Sequence, residues 1–137
     1  AQHSHCQLLH GYAFVFKVWF ESIEPNIDNQ LDEMNWIVDF GGFKEKPVGN
    51  GLKEWMDYMF DHTLVVAEDD PYVEGFKAMG EHGLAQVRVL PHVGAERFAE
   101  FIFNKLNTFV QEETDGRVKV AQVEFMEHNK NTAIYKP

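Results

Sequence analysis

The chain has 137 residues, 45% of them hydrophobic and 14% aromatic, with 22 Asp and Glu against 12 Lys and Arg for a formal charge of −10. That size and apolar content describe one globular domain, able to bury roughly two-thirds of its unfolded surface, rather than a disordered chain. The acidic balance without a Lys/Arg cluster argues against a nucleic-acid partner, and the lone cysteine, Cys6, cannot form an internal disulfide and favours a reducing cytoplasm; no run approaches the roughly eighteen apolar residues of a membrane span, and no signal-like amino terminus is read.

In chain order, His3, His5, Cys6 and His10 come first, leading directly into the apolar run Ala13-Phe14-Val15-Phe16-Lys17-Val18-Trp19-Phe20. Residues 10–21 are rich in Val, Phe and Trp with no Pro, which predicts a strand. Alternation puts His10, Tyr12, Phe14, Phe16, Val18 and Phe20 on one face and Ala13, Val15 and Trp19 on the other. Both faces are largely apolar, so both should be covered, one by helices of the same chain and the second by a partner subunit.

The polar stretch 22–33, with Pro25, Asn26, Asp28 and Asn29, predicts a connector. A second strand is expected at Asn35-Trp36-Ile37-Val38-Asp39-Phe40, stopped by Gly41-Gly42. Leu52, Trp55, Met56, Met59 and Phe60 recur at helical spacing and predict a helix from Leu52, with Asp61-His62 at its end. Residues 68–86 read as an acidic loop with a helical turn around 72–79, followed by a short strand at 87–90 that ends at Pro91. A helix from about Gly94 carries Phe98, Phe101, Ile102, Leu106 and Phe109 on one face, with Glu96 in the first turn, where the helix dipole favours an anion. After the turn signal Asp115-Gly116, residues 117–127 predict a strand whose alternation slips near Ala121-Gln122, from Val118/Val120 to Val123/Phe125, the mark of a bulge. A last strand covers 132–135. The main elements run strand, strand, helix, helix, strand, strand, an α+β pattern with two helices packed on one face of an antiparallel sheet.

Several residues can carry chemistry. His3 and His5 project the same way from an extended segment and can share a metal, with His10 approaching across a loop; terminal histidines are also often plain solvent-exposed passengers. Cys6 alone reads as a small buried hydrophobe, but beside imidazoles and a cation a thiol moves toward the thiolate that proton abstraction requires. Asp61-His62 is either an oriented acid–base pair or a helix end compensating its dipole. Glu127 is in phase with Val123 and Phe125, so its carboxylate either faces an apolar surface, where a ligand with paired N–H groups would satisfy it, or reaches solvent from an edge strand.

Taken together, these segments resemble the family of 6-pyruvoyl-tetrahydropterin synthase and 6-carboxytetrahydropterin synthase, the latter acting in queuosine precursor synthesis. Ala1-Gln2-His3 resembles the end of the family's first strand, so the start of that strand is expected upstream of Ala1. Cys6-Gln7-Leu8-Leu9-His10-Gly11-Tyr12 resembles its Cys-x-x-x-His-Gly-His motif, in the spacing of the carboxytetrahydropterin branch. Trp36-Ile37-Val38-Asp39-Phe40-Gly41 resembles the strand ending in Asp-Phe-Gly, and Asp61-His62-Thr63-Leu64 the Asp-His segment. Val93-Gly94-Ala95-Glu96 is a weaker match to a Pro-Thr-x-Glu helix start, and Glu127-His128 followed by Ala133-Ile134-Tyr135 resembles the Glu-Thr segment that anchors the pterin.

The resemblance implies a single domain over 1–137 of the tunnelling fold, a four-stranded antiparallel sheet with two helices on one face in the order ββααββ. It implies a homo-oligomer, a hexamer in the family, with active sites between subunits, and a cytoplasmic enzyme with a small-molecule pterin substrate. It also implies zinc held by histidines, Cys6 as general base, Asp61 and His62 as the partnered proton donor, and Glu127 binding the pterin N–H groups.

The sequence departs from the family in two places. Tyr12 stands where the third zinc histidine belongs, and a phenol with a pKa near 10 is a poor ligand at neutrality; His5 is the expected replacement, giving His3, His5 and His10. The lack of a basic cluster also leaves open a substrate other than the family's triphosphate. The expected function is therefore a zinc-dependent pterin lyase acting on 7,8-dihydroneopterin triphosphate or a related pterin. The alternatives are a paralogue that binds a pterin or purine-like ring through Glu127 without turnover, and a structural oligomer with incidental histidines.

Overall fold

In the computed structural model of the chain, the described residues are 9–35, 37, 51–127 and 131–137. They form β1 (Phe14–Ser22), α1 (Ile27–Gln30), α2 (Leu52–Phe60), β2 (Thr63–Ala67), α3 (Val73–Glu81), β3 (Gln86–Leu90), α4 (Ala95–Glu113), β4 (Val118–Glu127) and β5 (Asn131–Tyr135). Strand β4 lies between β1 and β5 in an antiparallel sheet, while β2 and β3 pair in parallel as a separate two-stranded sheet.

The core lies between the antiparallel sheet and α4. Alternation along β1 turns Phe14, Phe16, Val18 and Phe20 inward, and the long helix answers with Phe98, Ala99, Ile102, Phe103, Leu106 and Val110. Ile102, Leu106 and Val110 are almost completely removed from water, each contributing about 1.5–3 kcal/mol by apolar burial. The predicted stripe of α4 is confirmed at Phe98, Ile102 and Leu106, whereas Phe101 and Phe109 are only half-buried. Phe103 enters the core because β5 brings Tyr135 against it, ring centroids 4.9 Å apart.

The slip of phase in the last long strand is a bulge. Trp19 pairs with Gln122 and Phe20 with Val120, so Ala121 is skipped. The amide freed at this place is satisfied from the helix: Val120 N–H donates to Asn107 Oδ1 at 3.0 Å, and Gln111 Nε2 donates to the same oxygen at 3.1 Å. The extra residue moves the inward phase from Val118 and Val120 to Val123, Phe125 and Glu127. The Asp115-Gly116 turn is present, with φ of 52° and 78°.

The expected order ββααββ does not describe these residues. The antiparallel sheet has three strands among them, not four, and the polar stretch after β1 contains a one-turn helix capped by Asn26. Most of the predicted strand at 35–40, namely Trp36 and 38–40, lies outside the described residues, and Asn35 and Ile37 are not in a strand. The acidic stretch 68–86 holds a full helix, α3, inside a right-sized βαβ crossover from β2 to β3. Strand β2 escapes period-two reading because Leu64-Val65-Val66-Ala67 is a continuous apolar run, the pattern of a strand covered on both faces. The α+β class, an antiparallel sheet with helices on it, holds.

Candidate functional site

A cluster of aromatic rings brings two distant parts of the chain together. Phe14, the first residue of β1, stacks on Phe125 of β4 with centroids 4.7 Å apart, and Phe60, the last residue of α2, meets Phe14 edge-on at 5.1 Å. Phe98 of α4 closes the cluster, 5.9 Å from Phe60 and 5.4 Å from Phe125. Offset-stacked and edge-on pairs of this kind each add about 0.5–1.5 kcal/mol beyond burial, so the end of α2 is held against the start of β1. Between them opens a cleft of about 490 Å³ lined by Tyr12, Ala13, Phe14, Met56, Asp57, Phe60, Asp61 and His62.

Asp61 and His62 sit on one wall of this cleft, where α2 stops. Asp61 is the C-cap, its amide donating to Asp57 O, and His62 follows with a φ of 50°. A left-handed conformation is unfavourable for a histidine, by about 1–3 kcal/mol, and it turns the ring back toward the preceding carboxylate. His62 Nδ1 lies 3.0 Å from Asp61 Oδ1. Thr63 Oγ1 donates to Asp61 O at 2.8 Å, pinning the turn. With Nδ1 engaged by the carboxylate, Nε2 is the nitrogen left to exchange a proton with a ligand. Both side chains are well exposed, so the pair is open to solvent and to anything that enters the cleft.

Tyr12 lines the other side of the cleft, and Glu127 lies beside it. Glu127 pairs with Phe14 across the sheet, and the Ala121 bulge has put it on the inward face beside Phe125. Tyr12, two residues before β1 proper, shares the face of Phe14 and donates from its hydroxyl to Glu127 Oε1 at 2.8 Å. Glu127 is half-buried on the central strand of the antiparallel sheet, and its contact with Tyr12 is exposed. The alternation that puts Tyr12 on the face of Phe14 is legible in the sequence, but its partnership with Glu127 spans 115 positions and has no local signal. Phe60 and Met56, whose helical spacing predicts a core-facing stripe, also wall the cleft.

Of the residues expected to hold zinc, His10 is described, its ring 6.4 Å from that of Tyr12 and tilted by 44°. His3, His5 and Cys6 lie outside the described residues, as do Asp39 and His128. Among the described residues no three His, Cys, Asp or Glu side chains gather as a metal site. The donor set at the family's third ligand position is a phenol already directed at a carboxylate, which does not fit a metal ligand. Among the described residues lining the cleft there is no Lys or Arg. No helix among the described residues is long and apolar enough to cross a membrane.

A family model described as 6-pyruvoyl tetrahydropterin synthase matches residues 1–137. Over 65 residues the chain is 34% identical to the 6-carboxy-5,6,7,8-tetrahydropterin synthase of Rickettsia typhi and 32% identical to that of Rickettsia felis, a stretch that is 47% of this chain and only 39% of either relative. Among solved structures, an uncharacterised protein from Wolinella succinogenes superposes with a TM-score of 0.72 over 96% of this chain and 80% of its own, at 22% identity, a likeness of fold.

Proposed function

Because the chain belongs along its whole length to the 6-pyruvoyl tetrahydropterin synthase family, we propose that it is a pterin lyase resembling 6-carboxytetrahydropterin synthase. The observation that carries this reading is the cleft itself, which sets the Asp61–His62 couple on one wall and the Tyr12–Glu127 pair beside it, with the aromatic rings of Phe14 and Phe60 between. Phe14 and Phe60 touch each other edge-on, and the sides they turn to the cleft give a flat heterocycle an apolar surface to lie against. The heterocycle's paired N–H groups would bind the Glu127 carboxylate, a charge-assisted contact strengthened by partial burial.

In this reading Glu127 orients the ring and His62, held through Nδ1 by Asp61, passes a proton at Nε2 to or from the ligand's side chain. Cys6 is assigned the role of general base, taking a carbon-bound proton as the thiolate. The proposed cofactor is zinc, with His3, His5 and His10 as its ligands; when bound it would supply Lewis-acid polarisation of side-chain oxygens. The proposed substrate is 7,8-dihydroneopterin triphosphate or a related pterin, the second being favoured because no Lys or Arg is among the described residues that line the cleft. We also propose a cytoplasmic homo-oligomer, a hexamer as in the family, with no nucleic-acid or membrane partner. The sheet face away from the helices supports assembly, since Val15, Trp19 and Ile134 are exposed there at 58%, 43% and 60%.

The test is turnover of dihydroneopterin triphosphate and dihydroneopterin by zinc-replete protein, with products separated chromatographically. Wild type should convert at least one of them, and Cys6→Ala should abolish conversion while leaving metal content unchanged. Failure of the metal-replete wild type to convert or bind either compound overturns the proposal. Binding without conversion supports the second reading, a pterin-binding paralogue, which the engagement of Tyr12 with Glu127 in place of a third histidine ligand favours.

A further inference from the structure

We infer that Tyr12 is a ligand-positioning residue, whose phenol holds the Glu127 carboxylate in the orientation that receives a donor-edged heterocycle, and that it is not part of a metal site. The inference rests on the pterin reading of the cleft. It is carried by three observations. The Tyr12 hydroxyl lies 2.8 Å from Glu127 Oε1 in donor geometry. Strand register sets Phe14 opposite Glu127, so Tyr12, on the same face two residues earlier, reaches the carboxylate on the diagonal. The Tyr12 ring also lines the same cleft as Asp61 and His62.

The chemistry follows from what each group can donate and accept. A carboxylate offers about four lone-pair positions and no proton, so it can accept from a phenol and still take two N–H bonds from a ligand. Left to itself at the rim of an apolar face it would turn freely about its last torsion, and a bound ligand would have to stop that rotation. A phenol that gives its proton to Oε1 fixes the plane beforehand. The same proton argues against metal ligation, because a phenolate bound to zinc has none to donate. Tyr12 therefore acts through Glu127, selecting flat rings whose edge presents adjacent N–H groups, such as a 2-amino-pyrimidinone.

The experiment measures binding of neopterin to the full chain by calorimetry, with and without added zinc, for wild type, Tyr12→Phe, Glu127→Gln and the double variant. Tyr12 is 41% exposed, so its phenylalanine variant should fold, and thermal melting checks this. The expected result is an affinity lower by about tenfold in Tyr12→Phe, unchanged zinc content, and no further loss from Tyr12→Phe once Glu127→Gln is present, because the two act as a unit. Wild-type affinity in Tyr12→Phe overturns the inference while leaving the pterin reading intact. Loss of zinc in Tyr12→Phe with retention in Glu127→Gln overturns it by making Tyr12 a ligand. A wild type that binds no neopterin overturns both.

Discussion

Replacing Asn107 by Ala tests the link between the long helix and the bulge that orients Glu127. Asn107 Oδ1 accepts from Val120 N–H at 3.0 Å, and Val120 is 2% exposed, so without that oxygen a buried amide loses its acceptor. An unsatisfied buried group costs about 1–3 kcal/mol, and the better helix propensity of Ala returns roughly 0.5 kcal/mol, leaving a net loss of about 0.5–2.5 kcal/mol. At about 2.1 cal/mol/K of unfolding entropy per residue, a chain of 137 residues changes its Tm by roughly 3.5 °C per kcal/mol, so Asn107→Ala should melt about 2–9 °C lower. Asn107→Asp keeps an acceptor at the same place and should recover most of the loss. The assay is calorimetric melting of all three proteins at one concentration. If Asn107→Ala melts at or above wild type, or Asn107→Asp is the worse of the two, the helix does not satisfy the bulge as described.

Asp61→Asn should lower kcat for the proposed pterin substrate by about 10²–10⁴, since it removes the carboxylate holding His62, while exposure of the pair keeps stability within about 0.5 kcal/mol; a loss under about threefold would take Asp61 out of the acid–base role. Gly94 precedes α4 with φ 109° and ψ 161°, a region open essentially to glycine, so Gly94→Ala should destabilise by about 1–3 kcal/mol in denaturant titration, and an unchanged midpoint would contradict the strain. Phe60→Leu removes the edge-on contacts with Phe14 and Phe98 and should cost about 1–2 kcal/mol together with weaker ligand binding; a stability loss with wild-type binding would show that Phe60 supports the fold but not the cleft wall.

Much of the candidate site was legible because its chemistry is written in residue types. Asp61-His62 ends a helix whose apolar stripe is plain, and the couple forms between sequence neighbours, so no long-range packing is needed to bring it together. Glu127 was legible through the phase slip at Ala121, a local irregularity that changes which face every later residue takes. The parallel pairing of β2 with β3 was not. A short apolar run carries no period to tell a covered strand from a buried helix segment, and its partner lies beyond a whole helix.

The sequence by itself determined the elements with a strong repeat, namely β1, α2, α4 and the bulged β4, because side-chain direction in a regular backbone depends only on position along it. Tertiary structure alone decided that Tyr12 meets Glu127 and that Phe14 and Phe60 bound one cleft. Those contacts join segments remote in the chain, and they exist only after burial of the common core has fixed strand register and helix docking together.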